Sequence, residues 1–215
     1  MGDLGNEAGG HGLSTSLPLS TLLPLLAGVV SAASLNGYSP PLLAAGGLAN
    51  GAQIASVLTL GAAGAVLGTR FLLSLESLYT DSQRQALIAA DSSQSVRTMA
   101  FDQARNTLGW PAGIDGRGLR NGKNPHAVIK FEGLTGEFPY AYIATVQDYE
   151  RGVDISTIRA RFADGLQAGD SNRMVVWAGS GIGLMNKVMQ ARVSVHFSTI
   201  TKATLTSRGN TGHCC

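Results

Sequence analysis

Pro41-Leu42-Leu43-Ala44-Ala45-Gly46-Gly47-Leu48-Ala49-Asn50 and, further on, Ala65-Val66-Leu67-Gly68-Thr69 decide how this chain is read. In the first stretch an apolar run, Leu42 to Ala45, stops at Gly46-Gly47. In the second a shorter run, Ala65 to Leu67, stops at Gly68-Thr69. Neither run alternates between apolar and polar, which predicts short strands buried on both faces. Between them Asn50 to Leu60 has helix length, with Asn50 as its N-cap, Ile54, Val57 and Leu58 on or near one face, and Gly61 at its stop. Two consecutive strand–glycine–helix units therefore bring exposed backbone N–H groups beside helix N-termini. Unpaired amides and the positive end of a helix dipole favour an anion, so the pair of turns reads as a phosphate clamp.

Upstream, Leu19 to Ser34 reads as a helix with a wide apolar face, preceded by a Gly- and Ser-rich loop from Met1 to Ser16. Asn36-Gly37 and Pro40-Pro41 break the chain before the first strand. Downstream of Ser77 the composition shifts. Asp81 to Arg105 has helical content with charges, Gly109 to Pro125 is rich in turn residues, Ala127 to Phe131 reads as a strand, and Tyr149 to Leu166 reads as a helix. Met174 to Trp177 runs into Gly179-Ser180-Gly181-Ile182-Gly183. Residues 1–79 thus hold the glycine turns, 80–191 form a second unit, and 192–215 change character into a Thr/Ser-rich tail expected to be disordered. In a (β/α)8 barrel, paired turns of this kind belong to the last two strands.

The bulk composition agrees with a buried α/β core. Of 215 residues, 44% are hydrophobic and only 14% charged, with 28 glycines, against about a quarter charged in an ordinary domain. The length fits one domain with a small subdomain. A net charge of +2 with scattered basic residues argues against nucleic acid and against an anionic membrane surface. Both cysteines are terminal, Cys214-Cys215, which leaves no disulfide framework and no metal spacing. The most membrane-like segment, Leu17 to Ala33, is interrupted by Pro18, Ser20, Thr21 and Pro24 and is shorter than a span of ~20 clean apolar residues. Without a basic start and cleavage site at the N-terminus, a cytoplasmic location is expected.

Three motifs in order carry a resemblance. Glu7-Ala8-Gly9-Gly10-His11, Ala44-Ala45-Gly46-Gly47-Leu48-Ala49-Asn50-Gly51 and Leu67-Gly68-Thr69-Arg70-Phe71 with Glu76-Ser77 resemble motifs of the FMN-dependent nitronate monooxygenases, formerly the 2-nitropropane dioxygenases. Trp177-Ala178-Gly179 with Gly181 and Gly183 is similar to their later glycine-rich element, and Asp115-Gly116-Arg117 with Asn121 to a stretch of fungal members. The resemblance implies an α/β fold, the C-terminal part of a TIM-type (β/α)8 barrel with a cap subdomain. It implies FMN as cofactor, with Gly46, Gly47, Gly68 and Thr69 on its phosphate and Leu67 giving backbone beside that phosphate. Gly9 lets its loop lie close to the flavin, with Gly10 beside it in the cofactor-binding set. His11 corresponds to the catalytic histidine; an imidazole can take a proton from the carbon beside a nitro group or orient a nitronate. The implied small molecules are a nitronate or nitroalkane and O2. Glu7 is read either as orienting His11 or as capping a turn, Arg70 and Glu76 as bracing the barrel rim, and His126, His196 and His213 as surface residues.

The pattern departs from the family in three places. Leu4-Gly5 stands where the family has Gln-Gly, and an apolar side chain cannot replace the amide's hydrogen bonds. Only two barrel strands are identifiable, so the barrel is expected to be incomplete, the strand before the His11 loop missing, and a complementing barrel fragment is the implied partner. The tail after Arg192 lacks the expected charged helix. Two further readings stay open: a non-catalytic barrel remnant and an FMN-dependent enoyl reductase-like oxidoreductase. An inosine monophosphate dehydrogenase needs a loop cysteine, which the terminal cysteines do not provide.

Overall fold

Two small sheets organise the computed structural model, which describes residues 5–33, 39–120, 145–192 and 194. In chain order come β1 (Gly10–Leu13), α1 (Leu19–Ala32), β2 (Leu43–Ala45), α2 (Gly51–Thr59), β3 (Gly64–Val66) and α3 (Thr69–Leu72). They are followed by α4 (Asp81–Ala89), β4 (Ser95–Thr98), α5 (Ala100–Arg105), β5 (Ile114–Leu119), α6 (Thr145–Glu150) and α7 (Ile155–Ala168). Strands β2 and β3 pair in parallel, with Ala44 opposite Ala65. Strands β1, β5 and β4 form an antiparallel sheet in that spatial order. The fold is of the α/β class.

Local chemistry sets most helix ends. The Asn50 side chain accepts from the Gln53 N–H at 3.1 Å and starts α2. Thr80 and Gln83 form a capping box at the start of α4. Asp154 accepts from the Thr157 N–H and starts α7, which stops at Gly169 in the left-handed region. Helix α1 has no side-chain cap from its own N-cap, Pro18; the Glu7 carboxylate reaches across instead and accepts from the Leu19 N–H at 2.8 Å.

Several expectations are corrected. The Met1–Ser16 stretch is not all loop, because residues 10–13 are β1, and His11 lies opposite Gly116 on β5. Gly-His-Gly-Leu carries no strand signal of its own; a partner strand about a hundred residues later supplies the ladder. The region 81–105 contains β4 between two helices, and the glycine-rich stretch after Gly109 contains β5. Glycines suit this central strand because neighbours press on it: a Cβ on Gly116 would lie 2.6 Å from the Trp177 ring, and one on Gly118 2.9 Å from the Val176 carbonyl oxygen. The single helix expected over 149–166 is two, α6 and α7, separated at Gly152 with φ +71°. The strand expected at Ala127–Phe131, Asn121, and His126, His196 and His213 lie outside the described residues, as do Leu4, the Asn36-Gly37 breaker and the cysteines.

The parallel pair is also not buried on both faces. Ala44 is 1% exposed and packs with Leu19, Leu23, Leu48 and Val57 beneath α1 and α2. Its neighbours in the strand turn the other way. Leu43 is 65% and Val66 50% exposed on that opposite face. A second core joins Leu73, Leu87, Leu119, Val176 and Ile182, and a third joins Ala100, Phe101 and Val146. Strand pairing between β1 and β5 crosses the division expected near residue 79, so the two halves share a ladder. Among the described residues no helix is long and apolar enough to cross a membrane.

An apolar face on a two-stranded sheet with open edges is a template for association. We expect the chain to self-associate in dilute buffer. The double variant Leu43→Lys and Val66→Lys is expected to shift it toward monomer in light scattering while leaving far-UV circular dichroism unchanged.

Candidate active site

The turns after β2 and β3 converge. Gly46, Gly47, Gly68 and Thr69 all line one cavity of about 310 Å³, together with Gly9, Gly10, Gly179 and Gly181. Strand alternation points Ala45 and Val66 into the same space while Ala44 faces the core. Gly46 and Gly47 turn the chain with φ +134° and +65°, conformations that side chains resist.

Hydrogen bonds draw four segments together around this cavity. The Ser180 N–H donates to the Glu7 carbonyl at 2.9 Å, the Gly179 N–H to Thr69 Oγ1 at 2.9 Å, and the Gly5 N–H to the Ala45 carbonyl at 3.1 Å. The loop before β1 lies so close to Ala178-Gly179 that a Cβ on Gly9 would sit 2.7 Å from the Gly179 nitrogen.

The two helix starts differ. Asn50 already caps α2, and the Gln53 side chain accepts from the Ala49 N–H at 2.8 Å. The Gly68 start of α3 has no side-chain cap, so its first-turn amides are the ones left for a ligand. The remaining lining is apolar, from Leu48, Leu72, Trp177 and Met185, and among the described residues no Lys, Arg or His side chain lines the cavity. Leu67 joins β3 to Gly68 but is not among the lining residues.

His11 is likewise absent from the lining, although its neighbour Gly10 is part of it. Trp177, another lining residue, has its ring 5.0 Å from the His11 ring, tilted by 59°. Trp110 stacks on His11 at 4.0 Å and 19°. His11 Nε2 lies 2.9 and 3.0 Å from the two carboxylate oxygens of Asp102, a side chain with no exposed surface. Thr107 donates from Oγ1 to Asp102 Oδ1 at 2.8 Å. That bond exists because α5 ends at Asn106 in the left-handed region, with φ 56°, which turns Thr107 back over Asp102.

Neither Asp102 nor Trp110 was legible as a site residue. Asp102 looked like one charge among several in a helical stretch, and its separation of 91 residues from His11 leaves no sequence signal. Glu7 is the cap of α1 and not the partner of His11. Arg70 is buried and donates to the Leu73 and Lys187 carbonyls, and burial pulls its pKa down. Glu76 accepts from the Ala191 N–H at 3.0 and 3.1 Å.

Two further guanidinium groups fix the loop that carries His11. Arg117 donates to the Asn6 carbonyl at 2.9 Å and to the Ser95 carbonyl at 2.9 Å. Arg97 donates to the Gly12 carbonyl at 2.7 Å and pairs with Asp115. Burial lowers the Arg117 pKa, with Arg97 adding to the effect and Asp115 and Glu7 opposing it. On the far side Tyr79 accepts from the Trp177 N–H at 2.9 Å. Burial pushes the Tyr79 phenol up to about 12, partly offset by its bond to Trp177.

A glycine-lined cavity in an α/β fold thus lies near a histidine held by a buried carboxylate. Residues 4–196 match the family model described as nitronate monooxygenase, and the chain belongs to that family, which is one of oxidoreductases. Among curated relatives, it is 29% identical to a nitronate monooxygenase of Metarhizium robertsii over 89% of this chain and 48% of that one. It is 27% identical to one of Neurospora crassa over 84% and 42%. The chain thus spans about half the length of the curated relatives it matches. Among solved structures, nitroalkane oxidase from Streptomyces ansochromogenes aligns with a TM-score of 0.67 at 24% identity, over 95% of this chain and 52% of that one. FabK from Thermotoga maritima aligns at 0.63 and 21% identity, over 96% and 55%. At such identities these two structures speak for the fold alone.

Two outcomes are expected. Gly9→Ala forces its methyl onto the Gly179 backbone and should cost at least ~2 kcal/mol in urea unfolding. For Tyr79 the folded pKa lies above the unfolded one, so its contribution is complete below about pH 10 and is lost as pH rises toward about 12. Tyr79→Phe should remove that segment of the stability-versus-pH curve, read by denaturant titration at each pH.

Proposed function

We propose that this chain binds FMN in the glycine-lined cavity and serves the oxidation of alkyl nitronates with O2. The observation that carries this is the convergence of the Gly46-Gly47 and Gly68-Thr69 turns on one cavity. The residues present suit the cofactor's phosphate. A Cβ on Gly68 would meet nothing within 4 Å, so the backbone there is open to an approaching group. The uncapped start of α3 offers N–H donors, and Thr69 Oγ1, which accepts from Gly179, keeps its own proton to donate. With no cationic side chain among the described lining residues, the anion would be held by amides and the hydroxyl.

FMN, when bound, supplies the electron-accepting chemistry. The chain's own residues bind and orient. Leu48, Leu72 and Met185 give apolar walls that exclude water, Trp177 lines the cavity and lies against His11, and His11, next in sequence to the lining residue Gly10, serves as base or as the group that orients an anionic substrate. Residues 1–79 would form the last units of a (β/α)8 barrel with the phosphate site, and 80–191 its cap subdomain and the return to the barrel. In such a barrel further strands would pair along the edges of β2 and β3, and Leu43 and Val66 would face its interior. These assignments follow from family membership and from the cavity; the chemistry named for the relatives is carried to this chain as a proposal.

The test is reconstitution. Purified chain dialysed with FMN is expected to retain a flavin absorbance spectrum and to consume O2 with propionate 3-nitronate. Gly68→Val is expected to weaken FMN retention by at least about tenfold, since its side chain fills the phosphate position. Oxidation of NAD(P)H with an enoyl thioester, without nitronate turnover, would point to the reductase reading. Retention of no flavin by the folded chain would overturn both and leave a non-catalytic remnant.

A further inference from the structure

We infer that Asp102 is a positioning residue that fixes the tautomer of His11, so that Nδ1 is the nitrogen that accepts a proton. The inference rests on the reading of His11 as the base of the proposed reaction. A carboxylate accepts hydrogen bonds and does not donate them, so His11 Nε2, at 2.9 and 3.0 Å from the two Asp102 oxygens, carries the hydrogen. In the neutral ring the lone pair is then on Nδ1. Asp102 is fully buried, and among the described residues its side chain is met by His11 and Thr107 and by no Lys or Arg. The Thr107 hydroxyl holds Oδ1 at 2.8 Å, which fixes the carboxylate plane. Trp110, stacked at 4.0 Å, fixes the plane of the imidazole.

The step this arrangement serves is removal of the proton from a nitroalkane. The C–H bond beside the nitro group breaks, an N–H bond forms at Nδ1, and the electron pair stays on the substrate as its nitronate. The imidazolium so formed remains paired with Asp102, as in other carboxylate–histidine pairs. A substrate supplied already as the nitronate does not need this step, and the distinction gives the test.

The informative variant is Asp102→Asn. With Thr107 donating to the amide oxygen, the NH2 group takes the Oδ2 position, 3.0 Å from Nε2, where a donor facing the ring nitrogen disfavours a hydrogen there and shifts the tautomer balance toward Nδ1–H. In the FMN-loaded chain, kcat with nitroethane is expected to fall by roughly 100-fold while turnover of ethyl nitronate changes by less than about threefold. Nitrogen-15 NMR of the imidazole, assigned by subtracting the His11→Gln spectrum, is expected to show Nε2–H in the parent chain and Nδ1–H in the variant. Thr107→Val, a milder change on an exposed residue, is expected to lower kcat with nitroethane about tenfold, with recovery in Thr107→Ser. Equal losses with both substrates, or an Nδ1–H tautomer in the parent chain, would overturn the inference. A parent chain that binds FMN but turns over neither substrate would sink the proposed function; the NMR result would still decide the tautomer.

Discussion

Everything around the cavity depends on one backbone approach, the loop before β1 lying against Ala178-Gly179. A single methyl at Gly9 would fall inside the contact distance of the opposing backbone, so the closeness is possible only between chains stripped of side chains. The reward is geometric. Residues 8–10, 46–47, 68–69, 179 and 181 come from four separated parts of the sequence, yet line one cavity. Hydrogen bonds from Ser180 to Glu7 and from Gly179 to Thr69 hold them in register. A surface made of peptide groups is rigid and strongly dipolar, which suits an anion better than mobile lysines in a space otherwise lined by leucine, tryptophan and methionine.

Around that wall the chain buries several guanidinium groups and directs them at backbone carbonyls. Arg117 spends its donors on the Asn6 and Ser95 carbonyls, Arg97 on Gly12 and Asp115, and Arg70 on Leu73 and Lys187. Guanidinium groups suit this role because they offer several donors in a fixed plane. Between α6 and α7, Asp148 is fully buried under Arg161 and Arg173. Removing one partner of such a cluster strands the other, which makes these residues sensitive to substitution without any part in chemistry. Asp102 differs because its partners are an imidazole and a hydroxyl rather than guanidinium groups.

What was legible in the sequence was local. The strand–glycine–helix units around Gly46-Gly47 and Gly68-Thr69 declare themselves through short apolar runs, punctuation and the Asn50 cap, and the two turns do share a cavity. The family, too, was visible in three short motifs and is confirmed over residues 4–196. The antiparallel sheet was not legible. Gly10–Leu13 and Ile114–Leu119 are rich in glycine and lack β-branched alternation; they are strands because Arg97, Arg117 and the facing Trp177 leave them no other packing. The Asp102–His11 contact was hidden for the same reason, since a pairing across 91 residues leaves no periodic trace. Burial of the parallel strands was misjudged because an unbroken apolar run gives no sign of which face is covered, and Leu43 and Val66 are on the open one.

The aromatic contacts of His11 have an optical consequence. The chain has two tryptophans, and both, Trp110 and Trp177, lie against the same imidazole. Whatever indole emission this molecule gives therefore originates within one corner, between the histidine and the cavity wall. The folded protein carries its own reporter at the place where a ligand or a proton would be felt first.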